Sequence, residues 1–368
     1  MKIGILTLPL HTNYGGILQA YALQTVLERM GHDVVVFDTP KRKSLQIWLI
    51  PIVYPVRAFR KYVFGKKDAR ILKEQYQSRI SRNVLPFIRK HIHTKEVFSL
   101  KQLDKHDYNC IIVGSDQIWR PLYYPKIQNA FLAFAYNWNV KRIAYAPSFG
   151  TSAWEYTLGQ TKECSRLINK FDAVSVREDT GVGLCLEHLG AIATHVLDPT
   201  MLLDKEDYAR LIGSDVDAKD NKGLFCYILD ETEEKKEMIK RVANIRKLVP
   251  FSINKESEDA SMSGKGHIQS PVESWLSGFR DASFVVTDSF HACVFSIIFK
   301  KQFLVYGNKG RGMSRFMSLL GTFGLQDRLI TDIGQIRDIV DIDYVDVYKR
   351  YDEIKAFSYT FLKDSISG

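Results

Sequence analysis

A histidine placed where a buried strand turns into an apolar helix is a candidate proton donor. The run Thr287-Asp288-Ser289-Phe290-His291 has that form: an apolar strand spans 283–287 and an apolar helix spans 292–299. His291 would stand beside the free amides of a helix start, where an imidazole can act as general acid. A packing role for a half-buried ring is the plainer alternative. Arg177 ends the apolar run Ala173–Val176. Its planar fork suits a carboxylate or a phosphate, unless Glu178 or Asp179 takes it as an ion pair. Downstream, Asn308-Lys309-Gly310-Arg311-Gly312-Met313-Ser314-Arg315 places Lys309, Arg311 and Arg315 on a glycine-loosened loop that opens a helix. Such a loop can neutralise a phosphate, and a solvated loop would read similarly.

Three further polar clusters follow apolar strands. His11-Thr12-Asn13-Tyr14-Gly15-Gly16 leads from the first strand into the first helix, and its paired glycines allow close backbone approach by an anion or by hydroxyl groups. Gly114-Ser115-Asp116-Gln117-Ile118-Trp119 follows Cys110–Val113. Asp116 there can accept a proton from a hydroxyl or cap the next helix. Ala146-Pro147-Ser148-Phe149-Gly150 offers Ser148 as a donor to an oxyanion. Asn13, Tyr14, Gly15, Gly16, Ser115, Gln117 and Ser148 therefore form the candidate set for a hydroxyl-bearing ligand. No cluster of carboxylates and histidines demands a metal, and the glycine pair is not the dinucleotide fingerprint.

These residues need a scaffold that presents strand ends side by side. Strands are expected at 2–8, Asp33–Asp38, Cys110–Val113, 142–145, Ala173–Val176 and 193–197, with helices between them. Leu23, Val26, Leu27 and Met30 fall on one helical face, stopped by Gly31. The alternation resumes after Asp198-Pro199-Thr200, with strands at 224–229, 250–253, 283–287 and Gln302–Tyr306. Helices are expected at 231–247, 273–279 and 292–299. The fold class is α/β: two doubly wound Rossmann-like lobes facing a cleft. The expected division is 1–198 for the first lobe, 199–345 for the second, and 346–368 for a carboxy-terminal helix packing back on the first.

A chain of 368 residues with 45% apolar and 25% charged residues has ordinary globular composition, enough for two cores. Its five cysteines are scattered and form no CxxC pair, which suits a reducing compartment rather than a disulfide framework. The start reads as a core strand rather than a leader, and the apolar stretch 45–56 is too short to span a bilayer, so a cytoplasmic protein is expected. The net charge of +9 is unevenly placed: residues 41–95 hold fifteen Lys and Arg against Asp68 and Glu74, leaving the remainder acidic. This insert mixes its charges with Trp48, Tyr54, Phe59, Tyr62 and Phe64. It fits peripheral contact with an anionic membrane or a solvated cap on the first lobe, and no nucleic-acid motif accompanies it.

In their order along residues 1–325, these segments resemble the polysaccharide pyruvyl transferase family. The resemblance rests on Asn13-Tyr14-Gly15-Gly16, Gly114 to Trp119, Tyr145 to Gly150, Val176-Arg177-Glu178, Leu197-Asp198-Pro199-Thr200 and Asp288-Ser289-Phe290-His291. It implies a glycosyltransferase-B-like fold and transfer of the enolpyruvyl group of phosphoenolpyruvate onto two sugar hydroxyls as a ketal. The setting implied is capsule, exopolysaccharide or cell-wall glycan synthesis. Phosphoenolpyruvate would be a co-substrate, with no cofactor, and the acceptor a sugar or lipid-linked oligosaccharide. Arg177 and His291 match family motif positions, but the arginine of the family's Arg-Leu-His motif is replaced by Ser289. Donor binding is thus expected at Arg177, Ser289, Lys309, Arg311 and Arg315, acceptor binding at the hydroxyl-binding set, and acid and base roles at His291 and Asp116. A nucleotide-sugar glycosyltransferase or a non-catalytic glycan-binding relative are the competing readings.

Overall fold

The computed structural model describes residues 1–39, 55, 80–213, 223–253, 268–307, 312–336 and 339–368. Most of the basic insert, together with Lys309 and Arg311, lies outside them.

The first lobe is a seven-stranded parallel sheet in the order β3-β2-β1-β4-β5-β6-β7. Its strands are β1 (Lys2–Leu6), β2 (Asp33–Asp38), β3 (Thr94–Glu96), β4 (Cys110–Val113), β5 (Lys141–Ala144), β6 (Ala173–Val176) and β7 (Thr194–His195). The central strands read as unbroken apolar runs, Ile3-Gly4-Ile5-Leu6 and Cys110-Ile111-Ile112-Val113, and every one of these residues is buried. Strands covered by helices on both faces have that pattern. Gly4 is required by its neighbour, because a Cβ there would lie 2.2 Å from the Phe37 ring of the adjacent strand.

The helices of this lobe include α1 (Tyr14–Arg29), α2 (Leu85–His91), α3 (Leu158–Ile168) and α4 (Asp179–Leu184). In α1 the residues Leu23, Val26 and Leu27 face the core as their spacing requires, and Gly31 follows its end at φ 86°. A chain leaving a helix adopts that left-handed value most readily at glycine.

The second lobe is also parallel, in the order β12-β11-β10-β8-β9. It comprises β8 (Leu224–Tyr227), β9 (Pro250–Phe251), β10 (Phe284–Thr287), β11 (Gln302–Tyr306) and β12 (Leu329–Ile330). Helices α5 (Lys205–Ile212), α6 (Glu233–Arg246), α7 (Val272–Asp281), α8 (Phe290–Ile298) and α9 (Met313–Phe323) accompany it. Helix α8, Phe-His-Ala-Cys-Val-Phe-Ser-Ile-Ile, is apolar nearly all round, and all of its residues are buried. A helix of that composition must be covered on every side. Here it lies between its own sheet and the first lobe, touching α1 and the turn Pro199–Leu202.

One core cluster runs through both halves, from Ile3 and Ile5 through α1 to Phe225, Trp275 and Phe295. At the seam Tyr14 stacks on Trp275 with ring centroids 5.2 Å apart, and its hydroxyl donates to the carbonyl of Ser270 at 2.8 Å. The final helix, α10 (Tyr344–Ser367), crosses the same seam. Tyr351 donates to the Met201 carbonyl at 2.8 Å, Ser358 Oγ accepts from the Leu197 amide at 3.0 Å, and Lys141 donates to the Ile366 carbonyl at 2.8 Å. No helix among the described residues is long and apolar enough to cross a membrane.

The strands at Asp33–Asp38, Cys110–Val113, Ala173–Val176 and Gln302–Tyr306 have the expected bounds, while the expected strand at 193–197 shortens to Thr194–His195. Val196 and Leu197 instead carry the chain into the buried turn toward the second lobe. Because the lobes share one core, Tyr14→Ala should destabilise the whole chain by ~3–5 kcal/mol, the range for removing a buried aromatic. Urea unfolding followed by circular dichroism and by tryptophan fluorescence should give one coincident transition at lower midpoint. Two separated transitions in the unsubstituted protein would mean that the lobes fold independently.

Candidate active site between the lobes

In an open parallel sheet, the crevice for a ligand lies at the carboxyl ends of the strands where their order reverses. In the first sheet the reversal falls between β1 and β4, and in the second between β8 and β10. The loop after β1 supplies Asn13 and the loop after β4 supplies Asp116, whose Oδ2 accepts from Asn13 Nδ2 at 3.2 Å. Asp116 holds φ 59°, and its carbonyl accepts from the amides of Ile118 and Ser148.

Arg177, at the end of β6, is the centre of the site. Its Nη1 donates to Asp198 Oδ2 at 2.8 Å and its Nη2 to Asp116 Oδ1 at 3.3 Å, with the side chain 1% exposed. The guanidinium also lies 4.6 Å from the centroid of the Phe290 ring. Asp198 uses its second oxygen to accept from the amide and the hydroxyl of Thr200, which caps the turn between the lobes. His291, in the first turn of α8, approaches the same Asp198 Oδ2 with Nε2 at 3.6 Å. The imidazole can come this far because residue 15 lacks a side chain: a Cβ at Gly15 would lie 2.0 Å from His291 Nδ1. A line of polar groups therefore runs Asn13–Asp116–Arg177–Asp198–His291, built from both lobes.

The charges sustain one another. Burial would raise the Asp198 carboxyl, but His291 and then Arg177 outweigh it and hold that group well below the ordinary carboxylate range. Burial likewise works against the Arg177 cation, and the charges of Asp198, Asp116 and Glu178 overcome it, so its pKa is raised. Arg315 is in the opposite position. Burial, and then the neighbouring Arg177, push it down to about 10.

Glu178 is fully buried and makes a second anchor. Its Oε1 accepts from Ser148 Oγ at 2.9 Å, the Phe149 amide at 2.7 Å and the Gly150 amide at 3.0 Å. Of the twelve buried side-chain polar atoms without a hydrogen-bond partner among the described residues, six belong here: Gln117 Oε1, Arg177 Nε, Glu178 Oε2, His291 Nε2, Ser314 Oγ and Arg315 Nε. Buried polar atoms are ordinarily paired, so a concentration of unpaired ones marks a place built for something else.

The geometry redistributes the expected roles. Arg177, His291, Asp116 and Asn13 converge, and Arg315 stands beside them over the other side of the same pair of contacts, 5.4 Å from the Phe290 ring. Gln117 is half-buried with Oε1 unpaired, and Gly16 leaves room for Asn13 and Asp116. Tyr14, expected on the ligand side, is instead sealed in the seam with its hydroxyl occupied. Ser115 is fully buried, donating to the Ala146 carbonyl at 2.8 Å, and Ser148 holds Glu178, so both fasten loops rather than line a surface. Ser289 caps α8, accepting from the Ala292 amide at 3.5 Å. Asp288, in the same motif as His291, turns away: it accepts from the amides of Leu229 and Asp230 and from Lys235 Nζ, bracing the reversal point of the second sheet. The residues passed over from sequence were Asp198 and Glu178. Asp198 directly follows Val196-Leu197, and Glu178 follows the strand-ending Arg177, and that was the available signal.

Two doubly wound parallel lobes with a polar site at their facing strand ends define a glycosyltransferase-B-like fold. The chain belongs to the polysaccharide pyruvyl transferase family, whose model matches residues 13–310. Among solved structures, it is similar to the Arabidopsis thaliana UGT89C1 in complex with UDP, with a TM-score of 0.50 at 12% identity, covering 100% of this chain and 99% of that one. The UDP-GlcNAc 2-epimerase of Neisseria meningitidis bound to UDP-GlcNAc gives 0.48 at 8% identity, covering 99% and 94%. An H444N variant of the wall teichoic acid polymerase TagF gives 0.49 at 9%, covering 100% and 89%. At such identities the likeness describes the fold alone. No curated protein matches the sequence.

Replacing Asp198 by asparagine leaves Arg177 buried beside a single carboxylate, which should cost ~3–5 kcal/mol. Asp198 also makes stability depend on pH. Its folded carboxyl ionises at lower pH than the unfolded one, so its contribution is complete above the ordinary carboxylate range and is lost as the pH falls below it. Chemical denaturation at pH 7 and at pH 3 should therefore show a smaller gap between Asp198→Asn and the parent at the lower pH. A gap that does not change with pH would mean that Asp198 is not held as an anion.

Proposed function

We propose that the chain transfers the enolpyruvyl group of phosphoenolpyruvate to two hydroxyls of a sugar, forming a cyclic ketal and releasing phosphate. The observation that carries this reading is the convergence of Arg177, Asp198 and His291 from two lobes in a chain of this family. The family's description supplies the acceptor class, a sugar or polysaccharide, and lends the reaction its transferase character.

In this reading His291, steadied by the Asp198 carboxylate, delivers its proton to the methylene carbon of the donor. The donor's C2 becomes electron-poor, and a sugar hydroxyl attacks it while giving its proton to Asp116. The bond between C2 and the phosphate ester oxygen then breaks, and phosphate leaves with the electron pair and takes the proton from Asp116. The second hydroxyl attacks C2 and closes the ring, and its proton restores the imidazolium. Asn13 is exposed and bonded to Asp116, so the acceptor reaches the base from that side. Arg177 serves as a fixed cation: its two terminal nitrogens hold Asp198 and Asp116, and its Nε has no partner among the described residues. A buried ion-pair network of this kind fixes the two carboxylates where the chemistry needs them. With a lipid-linked acceptor, the basic 41–95 insert would keep the enzyme at an anionic cytoplasmic membrane face.

The test is incubation of the full chain with phosphoenolpyruvate and a panel of sugars bearing neighbouring hydroxyls, reading phosphate release and product mass. Phosphate release with a matching pyruvylated sugar is expected, and titration with UDP should give no heat. Heat from UDP alone would point to nucleotide-sugar chemistry, and silence toward both ligands would point to a non-catalytic glycan binder. His291→Gln should lower turnover by roughly 10²–10⁴-fold, the usual worth of a positioned acid, with an unchanged melting profile. Gly15→Ala should lower turnover in the same direction, because its methyl occupies the space of the imidazole. Full activity in either variant would remove His291 from the role.

A further inference from the structure

Helix α9 begins against its own electrostatics. The positive end of a helix favours acids in the first turn. Here the first turn contains no acid and contains Arg315 instead. Arg315 lies 5.4 Å from the Phe290 ring centroid, and Arg177 lies 4.6 Å from the same centroid. Two guanidinium groups are thus gathered round one phenyl ring. Arg177 has its counter-ions in Asp198 and Asp116, whereas Arg315 forms no ion pair among the described residues. Asp116 and Glu178 reach it only as charges at a distance, and they do not offset the burial and the repulsion from Arg177. Its Nε is buried without an acceptor, and so is the hydroxyl of Ser314 one residue earlier.

The contacts around this cation are close-fitted. A Cβ at Gly312 would lie 2.5 Å from Arg315 Nη2 and 2.9 Å from the Gly150 carbonyl, so the glycine that opens α9 is also what admits the guanidinium. Gly150 in turn leaves room for Gln117 and donates its amide to Glu178. Arg315 is therefore packed against Gly312 at the start of α9, with no ion pair among the described residues. A surplus cation, a helix start, a free hydroxyl and a nine-tenths-buried second arginine with an unpaired Nε ask for one kind of guest. It carries at least two negative charges and several acceptor oxygens, as a phosphate monoester does.

We propose that Arg315, Ser314 and the first turn of α9 form the phosphoryl-binding element of this site, taking the phosphate end of a small phosphate monoester. This rests on the reading above and deepens it, because it places the donor's phosphate on the α9 side of Phe290 and its transferable carbons on the His291 side. It also gives the site the cation that Ser289 does not supply.

The experiment is calorimetric titration of the full chain with inorganic phosphate, phosphoenolpyruvate and pyruvate, each compared between the parent, Arg315→Gln and Arg315→Lys. Arg315→Gln should weaken phosphate and phosphoenolpyruvate by ten-fold or more and leave pyruvate unchanged, while Arg315→Lys recovers part of the loss. The melting temperature of Arg315→Gln should stay level or rise, since an unpaired cation beside Arg177 has been removed. Unchanged affinity for phosphate and phosphoenolpyruvate, or a lowered melting temperature with affinity intact, would overturn the proposal. The two readings separate cleanly. Pyruvyl transfer that survives Arg315→Gln at normal donor affinity leaves the reaction standing and removes the phosphoryl site. Arg315-dependent phosphate binding in a protein that transfers no pyruvyl group leaves the anion site standing and removes the reaction.

Discussion

The arrangement depends on a buried cation that two carboxylates share. Arg177 is almost fully withdrawn from water, a state that is costly for a guanidinium unless opposite charges compensate it. Asp198 and Asp116 do so, and each brings a different part of the molecule with it. Asp198 carries the turn by which the chain leaves the first lobe, and through its position beside His291 it meets the second lobe. Asp116 carries the loop after β4 and, through Asn13, the start of α1. The network thus positions chemistry and also aligns the loops at the reversal point of the first sheet with the first turn of α8.

The lobes are fitted to each other around this network by small residues as much as by charges. Gly15 lets the His291 ring approach α1, and Gly312 lets Arg315 approach the backbone at Gly150. The apolar seam of Tyr14, Trp275 and Phe295 supplies the adhesion, because all three rings are buried together. The division is physically sensible. Apolar contact is undirected and holds two bodies together, whereas ion pairs and close glycine contacts are directional and set their register.

Much of the scaffold could be read from the residues because parallel strands covered on both faces leave apolar runs of recognisable length. Cys110–Val113 and Ala173–Val176 stand out on that basis. Two edge strands did not: Thr94–Glu96 has no apolar residue, and Leu329–Ile330 is too short to stand out, and each exists because a neighbour pairs with it. In the site, sequence pointed to His291, Arg177 and Asp116 because strand ends in such sheets face the crevice. It could not say which polar side chain at a strand end turns inward. Ser115 and Ser148 were read as ligand donors, but their hydroxyls satisfy a carbonyl and Glu178. Tyr14 was read as polar, but its ring area outweighs its hydroxyl. Asp198 was read as part of a turn, and only the arrival of Arg177 from one side and His291 from the other reveals its second use.

The strand order has a consequence for how this chain acquires its shape. β1 pairs with β2 on one side and with β4 on the other, so that Ile3 is matched with Val34 and also with Cys110. The second pairing must close a loop that contains the entire basic segment, and among the described residues every pairing in both sheets is parallel. Topologies dominated by distant contacts fold slowly and leave strand edges open while they do so. That loop holds an excess of like charge, fifteen Lys and Arg against Asp68 and Glu74 over residues 41–95, and like charges on neighbouring chains repel one another.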